Sequence, residues 1–90
     1  MKLSIELSLY PLAEQHFKTE IWRFIHKLRA HPDLTVVTNG MSSQVFGEYD
    51  LVVNCVMAEI KQVHQTLGSA VFVCKMIAGD LSQVIPEADC

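Results

Sequence analysis

The sequence predicts an α+β sandwich with the element order βαββαβ. Three observations predict it. The chain starts with a strict two-residue alternation of apolar and polar side chains, two later segments repeat apolar residues every three or four positions, and an Asn-Gly pair separates two short runs between those segments.

Leu3, Ile5, Leu7 and Leu9 alternate with Ser4, Glu6, Ser8 and Tyr10, which marks a strand with one apolar and one polar face; Pro11 ends it. From Leu12 to about Ala30, Phe17, Ile21, Phe24, Ile25 and Leu28 follow the spacing of an amphipathic helix, and Pro32 forbids its continuation by disfavouring helix at His31. Leu34 to Thr38 is β-branched almost throughout and reads as a second strand. Asn39-Gly40 then predicts a tight turn of two residues that tolerate positive φ, and a short third strand is expected from Ser42 to Phe46. Val52, Val53, Val56, Ile60, Val63 and Leu67 form the stripe of a second helix over Tyr49 to Leu67, with Gly68 as the residue that stops it. Ser69 to Ile77 is the last strand. Right-handed crossovers close these elements into a four-stranded antiparallel sheet in spatial order 4-1-3-2 with both helices on one face, the ferredoxin-like arrangement. Residues 1–80 form one domain and 81–90 a C-terminal tail.

Ninety residues, half of them hydrophobic and only 19% charged, give one small core and an excess of apolar side chains that self-association would absorb. The net charge of −3, with Lys and Arg scattered, excludes a nucleic-acid partner, because phosphate binding needs cations massed on one face. No apolar run approaches the roughly 20 residues that span a bilayer, and Glu6 falls where a signal peptide would keep its apolar stretch; a cytoplasmic protein with no membrane partner is expected. Cys55, Cys74 and Cys90 have no C-x-x-C spacing. Cys55 and Cys74 read as small buried hydrophobes and Cys90 as an exposed thiol.

With both helices on one side, the opposite sheet face is open. The alternation assigns to it Ser4, Glu6, Ser8 and Tyr10 from the first strand, Thr35, Val37 and Asn39 from the second, and Val71, Val73, Lys75 and Ile77 from the last; the third strand, too short to fix its own parity, offers Gln44 and Phe46 in one of its two settings. Such a face is too apolar for water and too polar for a core, which suits either a partner subunit or a pocket for a flat, partly polar molecule. Glu6 and Lys75 fall on neighbouring strands. Either they pair, or Glu6 accepts hydrogen bonds from a ligand's amino group.

Enzymatic chemistry finds no support. His16, His26, His31 and His64 lack metal-ligand spacing, Ser42 and Ser43 have no nucleophile elbow or adjacent base, and Asn39-Gly40 and Phe46-Gly47 are not a phosphate loop. No catalytic residue, metal or cofactor is expected.

Two segments, Ser8-Leu9-Tyr10-Pro11 and Thr38 to Glu48, above all Ser42-Ser43-Gln44-Val45-Phe46-Gly47-Glu48-Tyr49, together resemble the family of small thiamine-binding proteins, whose tandem-domain members bind thiamine and its hydroxymethylpyrimidine moiety. Ser43 stands where Thr is usual there, which keeps the hydroxyl and loses a methyl. The resemblance implies a non-catalytic binder of thiamine or hydroxymethylpyrimidine, with the ligand on the sheet side near the first and third strands, in a chain that associates as a homodimer or homotetramer. By position it implicates Ser8, Tyr10, Thr38, Asn39, Met41, Ser42, Ser43 and Gln44. Chemistry adds Glu6, Phe46 and Glu48: a stacked Tyr10 or Phe46 would hold the ring, and hydroxyls or a carboxylate would take its amino group and nitrogens. The alternative is a structural or regulatory oligomerisation module of the same fold with no thiamine ligand.

Overall fold

The computed structural model describes residues 1–12 and 17–83. Within them the chain forms β1 (Lys2–Pro11), α1 (Phe17–Arg29), β2 (Thr35–Thr38), β3 (Ser43–Glu48), α2 (Tyr49–Leu67) and β4 (Ala70–Ala78). The four strands make one antiparallel sheet in the order β2-β3-β1-β4, the predicted order read from its other edge. The third strand starts one residue later and runs two residues further than predicted, through Gly47 and Glu48. Residues 13–16, expected in the first helix, and 84–90, with Cys90, lie outside the described residues.

The alternation in β1 decides the layering. Leu3, Ile5, Leu7 and Leu9 are buried beneath the helices, where they meet Phe24 and Leu28 of α1, Val45 of β3, and Val52 and Val56 of α2. Each such side chain taken out of water contributes about 1.5–3 kcal/mol before the entropy of ordering it is subtracted. Aromatic contacts join the helices to β4: the rings of Phe24 and Phe72 lie 5.2 Å apart, and His64 meets Phe72 edge-on at 5.4 Å. His64 Nε2 lies 3.1 Å from the Ala70 carbonyl oxygen, which ties the end of α2 to the start of β4. His31 Nε2 sits 3.1 Å from Glu59 Oε2 and links the α1–β2 connection to α2.

The β2–β3 turn forms where Asn39-Gly40 predicts it, but by a different device. No residue other than Gly68 and Gly79 has positive φ among the described residues, so Gly40 does not supply a left-handed conformation. Instead Asn39 Oδ1 accepts hydrogen bonds from the amides of Met41 (2.8 Å) and Ser42 (3.1 Å), and the Asn39 amide donates to the Ser42 carbonyl. Asparagine closes the loop through its side chain, mimicking a backbone turn.

Two cysteine assignments change. Cys55 is half-buried and Cys74 is exposed. Cys74 and Met76 have the parity of the helix side, yet the helices cover β4 only at its beginning, so from Val73 to Ala78 the strand is exposed on both faces. Alternation gives the face on which a side chain stands, and the length of the covering layer decides whether that face is covered.

Gly47 marks the closest approach of β3 to its neighbours. A Cβ there would lie 3.1 Å from Val52 Cγ2 and 3.3 Å from the Asp33 carbonyl oxygen, whereas one at Gly40 would meet nothing within 4 Å. Gly47→Ala is therefore expected to destabilise by about 1–3 kcal/mol, and Gly40→Ala to stabilise by up to about 1 kcal/mol through the unfolded chain. Urea unfolding of the two variants against the parent chain measures both signs.

Candidate functional site

The residues singled out by the sequence gather in two cavities and at one remote end of the sheet. The first cavity, the hairpin groove, has a volume of about 220 Å³ and lies where β1, the β2–β3 hairpin and α1 meet. Leu7, Leu9, Phe24 and Ile25, all buried, form its floor. Ile21 and Trp22 give it a wall on α1, Thr38 to Ser43 the opposite wall, and Ser8 and Tyr10 the strand between them. Trp22 and Tyr10 are each about half exposed, and Met41 stands free at the mouth.

Ser43 is the polar group set deepest in this groove. It pairs with Leu7 across the ladder, so its side chain takes the helix side of the sheet, and it is only 5% exposed. Thr38 lies opposite on β2, and the two hydroxyl oxygens are 3.0 Å apart. One hydroxyl donates in that bond, which leaves the other proton and the remaining lone pairs for a ligand. Among the described residues no charged side chain lines the groove. Its chemistry is hydroxyl, amide and aromatic, which suits an uncharged ring bearing hydrogen-bonding edges.

The second cavity is a recess of about 420 Å³ on the open face. Its polar members form a chain: Lys75 Nζ lies 3.5 Å from Glu6 Oε1, the Ser42 hydroxyl donates to Glu6 Oε2 at 3.0 Å, and Gln44 Nε2 donates to Ser42 Oγ at 2.9 Å. Val37, Phe46, Ile77 and Leu81 supply apolar walls. Of the two readings of Glu6 and Lys75, the structure contains the pair. Both side chains are largely solvated, so the pair adds little to stability. The start of the tail closes one end, because buried Ser4 donates to the Gly79 carbonyl (2.7 Å) and accepts from the Leu81 amide (3.0 Å).

Ser8, Tyr10, Thr38, Asn39, Met41, Ser42 and Ser43 thus line the groove, whereas Glu6, Gln44 and Phe46 line the recess. Ser42 joins the two: it borders the groove while its hydroxyl bonds to Glu6 on the open face. Tyr10 and Phe46, the two candidate stacking rings, belong to different cavities. Glu48 belongs to neither. It pairs with Lys2 at the opposite end of β3 from the hairpin, where Lys2 Nζ is 3.1 Å from Glu48 Oε1. Sequence reasoning missed the wall on α1. Trp22, an apolar residue off the buried stripe of its helix, was the available signal. Among the described residues no cluster of His, Cys, Asp and Glu could hold a metal ion, and no helix is long and apolar enough to cross a membrane.

No family model and no curated protein sequence matches this chain. Solved structures do. A Streptococcus pneumoniae protein superposes with a TM-score of 0.77 at 17% identity over the whole of both chains. A Thermotoga maritima protein provisionally assigned to thiamine biosynthesis or salvage superposes with a TM-score of 0.76 at 19% identity, covering 92% of this chain and 91% of that one. A hypothetical protein from Methanocaldococcus jannaschii gives 0.76 at 20% identity, covering 98% and 91%. At these identities the likeness establishes the fold.

Lys2, first by hydrogen bond and then by charge, holds the Glu48 carboxyl below its ordinary pKa. A depressed carboxyl pKa stabilises the folded state above the unfolded value, and that contribution is lost as pH falls through the folded value. Glu48→Gln is accordingly expected to lower the melting temperature slightly at neutral pH, with the gap to the parent closing in acid. Thermal unfolding scans from neutral pH down to about pH 3, below the ordinary carboxylate range, measure this.

Proposed function

We propose that this chain is a cytoplasmic, non-catalytic binding protein for thiamine or its hydroxymethylpyrimidine moiety, and that the pyrimidine occupies the hairpin groove. The observation that carries the reading is the meeting of two segments distant in sequence, Ser8 to Tyr10 and Thr38 to Ser43, in one cavity with aromatic flanks. Both belong to the longer segments, Ser8 to Pro11 and Thr38 to Glu48, on which the resemblance to small thiamine-binding proteins rests. The provisional assignment of one structural neighbour to thiamine biosynthesis or salvage supports the same reading.

In this reading the ring lies against Trp22, and Ser43 and Thr38 meet its nitrogen and amino edge, donating one proton and accepting another. The hydroxyls and amides of the described lining suit the neutral pyrimidine, and the cationic thiazolium would extend past Met41 toward solvent. Glu6 acts through Ser42: by accepting that hydroxyl's proton it turns the Ser42 oxygen into an acceptor for Gln44 and holds the hairpin against β1.

Titration calorimetry with thiamine and with hydroxymethylpyrimidine tests the proposal. Saturable binding of one ligand per chain is expected, weakened about tenfold by Ser43→Ala, the equivalent of one hydrogen bond to a buried group, and unchanged by Glu48→Gln. No heat and no thermal shift with either compound at millimolar concentration would overturn it.

A second reading is favoured by the exposed Val37, Val73 and Ile77 on the open face: a homodimer or homotetramer whose sheets pack face to face and which takes no ligand. It predicts a particle heavier than the 10.1 kDa chain that thiamine does not stabilise.

A further inference from the structure

The helix layer has a cavity of its own, of about 220 Å³, lined among the described residues by α1 and α2 alone. Glu20, Arg23 and Lys27 on α1 and Glu59 on α2 set two carboxylates and two cations around it, and Phe24 and Val63 give it apolar surface. Buried Phe24 is its one described residue in common with the hairpin groove. The α1 residues recur at the three- and four-residue spacing of a single helix face, so the charges are neighbours by construction.

These charges do not cancel among themselves. Arg23 Nη1 donates to Glu20 Oε2 at 3.2 Å, which satisfies one pair. Glu59 Oε2 lies 3.1 Å from His31 Nε2, but among the described residues Glu59 Oε1 is buried without a hydrogen-bond partner and Lys27 has no ion-pair partner. Lys27 and Glu59 thus line one cavity with opposite charges and do not meet. A buried acceptor left unpaired costs the folded chain its desolvation. Arg23 and Lys27, four residues apart on one helix, repel each other. A donor at Glu59 would relieve the first cost, and an anion between the two cations the second.

We propose that this cavity binds a free α-amino acid with an apolar side chain, its carboxylate between Arg23 and Lys27, its ammonium on Glu59 and its side chain over Phe24 and Val63. A ligand of one sign answers half of the site: an anion alone leaves Glu59 unpaired, and a diamine sets a further cation against Lys27. The volume equals that of about seven waters at about 30 Å³ each, which suits one small organic molecule. The terminal torsion of a glutamate side chain is broad, so the Glu59 carboxyl can turn one oxygen to the ammonium while the other keeps His31. The site stands on the helix layer and needs neither a ligand in the hairpin groove nor a second copy of the chain.

Titration of the isotopically labelled chain with L-leucine, followed by heteronuclear NMR, tests the proposal. Saturable amide shifts are expected along Glu20 to Lys27 and Glu59 to Val63. Lys27→Gln and Glu59→Gln should each weaken the apparent affinity about tenfold, the equivalent of one hydrogen bond to a charged group, whereas Ser43→Ala in the hairpin groove should leave it unchanged. Leucinamide, which lacks the carboxylate, and isocaproate, which lacks the ammonium, should each bind about tenfold more weakly than leucine for the same reason. Lys27 lies outside the buried core, so its variant keeps the fold even if Glu59→Gln loosens the link to His31. No saturable shift at millimolar leucine, an unchanged affinity in Lys27→Gln, or leucinamide, isocaproate or inorganic phosphate binding as tightly as leucine would each overturn the proposal.

Discussion

Everything in this molecule depends on β1. It is the longer of the two inner strands, hydrogen-bonded to β3 on one side and to β4 on the other, and its alternation of Leu and Ile with Ser, Glu and Tyr assigns each face of the sheet its neighbour. A slip of one residue would turn Leu3, Ile5, Leu7 and Leu9 toward the open face and Glu6 into the core, at the cost of the buried apolar area and of an unpaired charge. That penalty holds the register, and the register fixes which residues of β3 and β4 share a side with Glu6 and which share one with Leu7.

The division of the polar run after β2 follows from this. Ser43 stands opposite Leu7 and so turns toward the helices, whereas Gln44 stands opposite Glu6 and turns to the open face. Consecutive residues of one motif are therefore parted by the thickness of the sheet. Ser42, at the end of the turn before β3 begins, is free of the ladder's alternation and bonds across to Glu6 while bordering the groove. The hairpin is held by hydrogen bonds of its own side chains, from Asn39 to two amides and from Ser42 to Glu6.

The helix layer is shorter than the sheet it covers. α2 ends against the start of β4 through His64 and Phe72, and beyond that point the strand is exposed on both sides. Part of the apolar excess visible in the composition thus stands exposed along β4, at Val71, Val73, Met76 and Ile77. The core closes without it.

The element order, the sheet order, the bounds of α2 and the faces of the first strand were legible in the sequence, because period and turn chemistry are local properties of the chain; the face of each β3 residue came from its register with β1. Asn39-Gly40 was a correct turn signal with the wrong device behind it: composition tells that a loop closes, and side-chain hydrogen bonding tells how. Cys74 had the parity of a core residue, but whether a face is covered depends on where another element ends. The candidate residues were legible as types, and the two motifs as a pair. Their distribution between a groove and a recess, the contribution of Trp22 from α1, and the placing of Glu48 beside Lys2 came only with the tertiary structure, because each depends on distances between segments far apart in sequence.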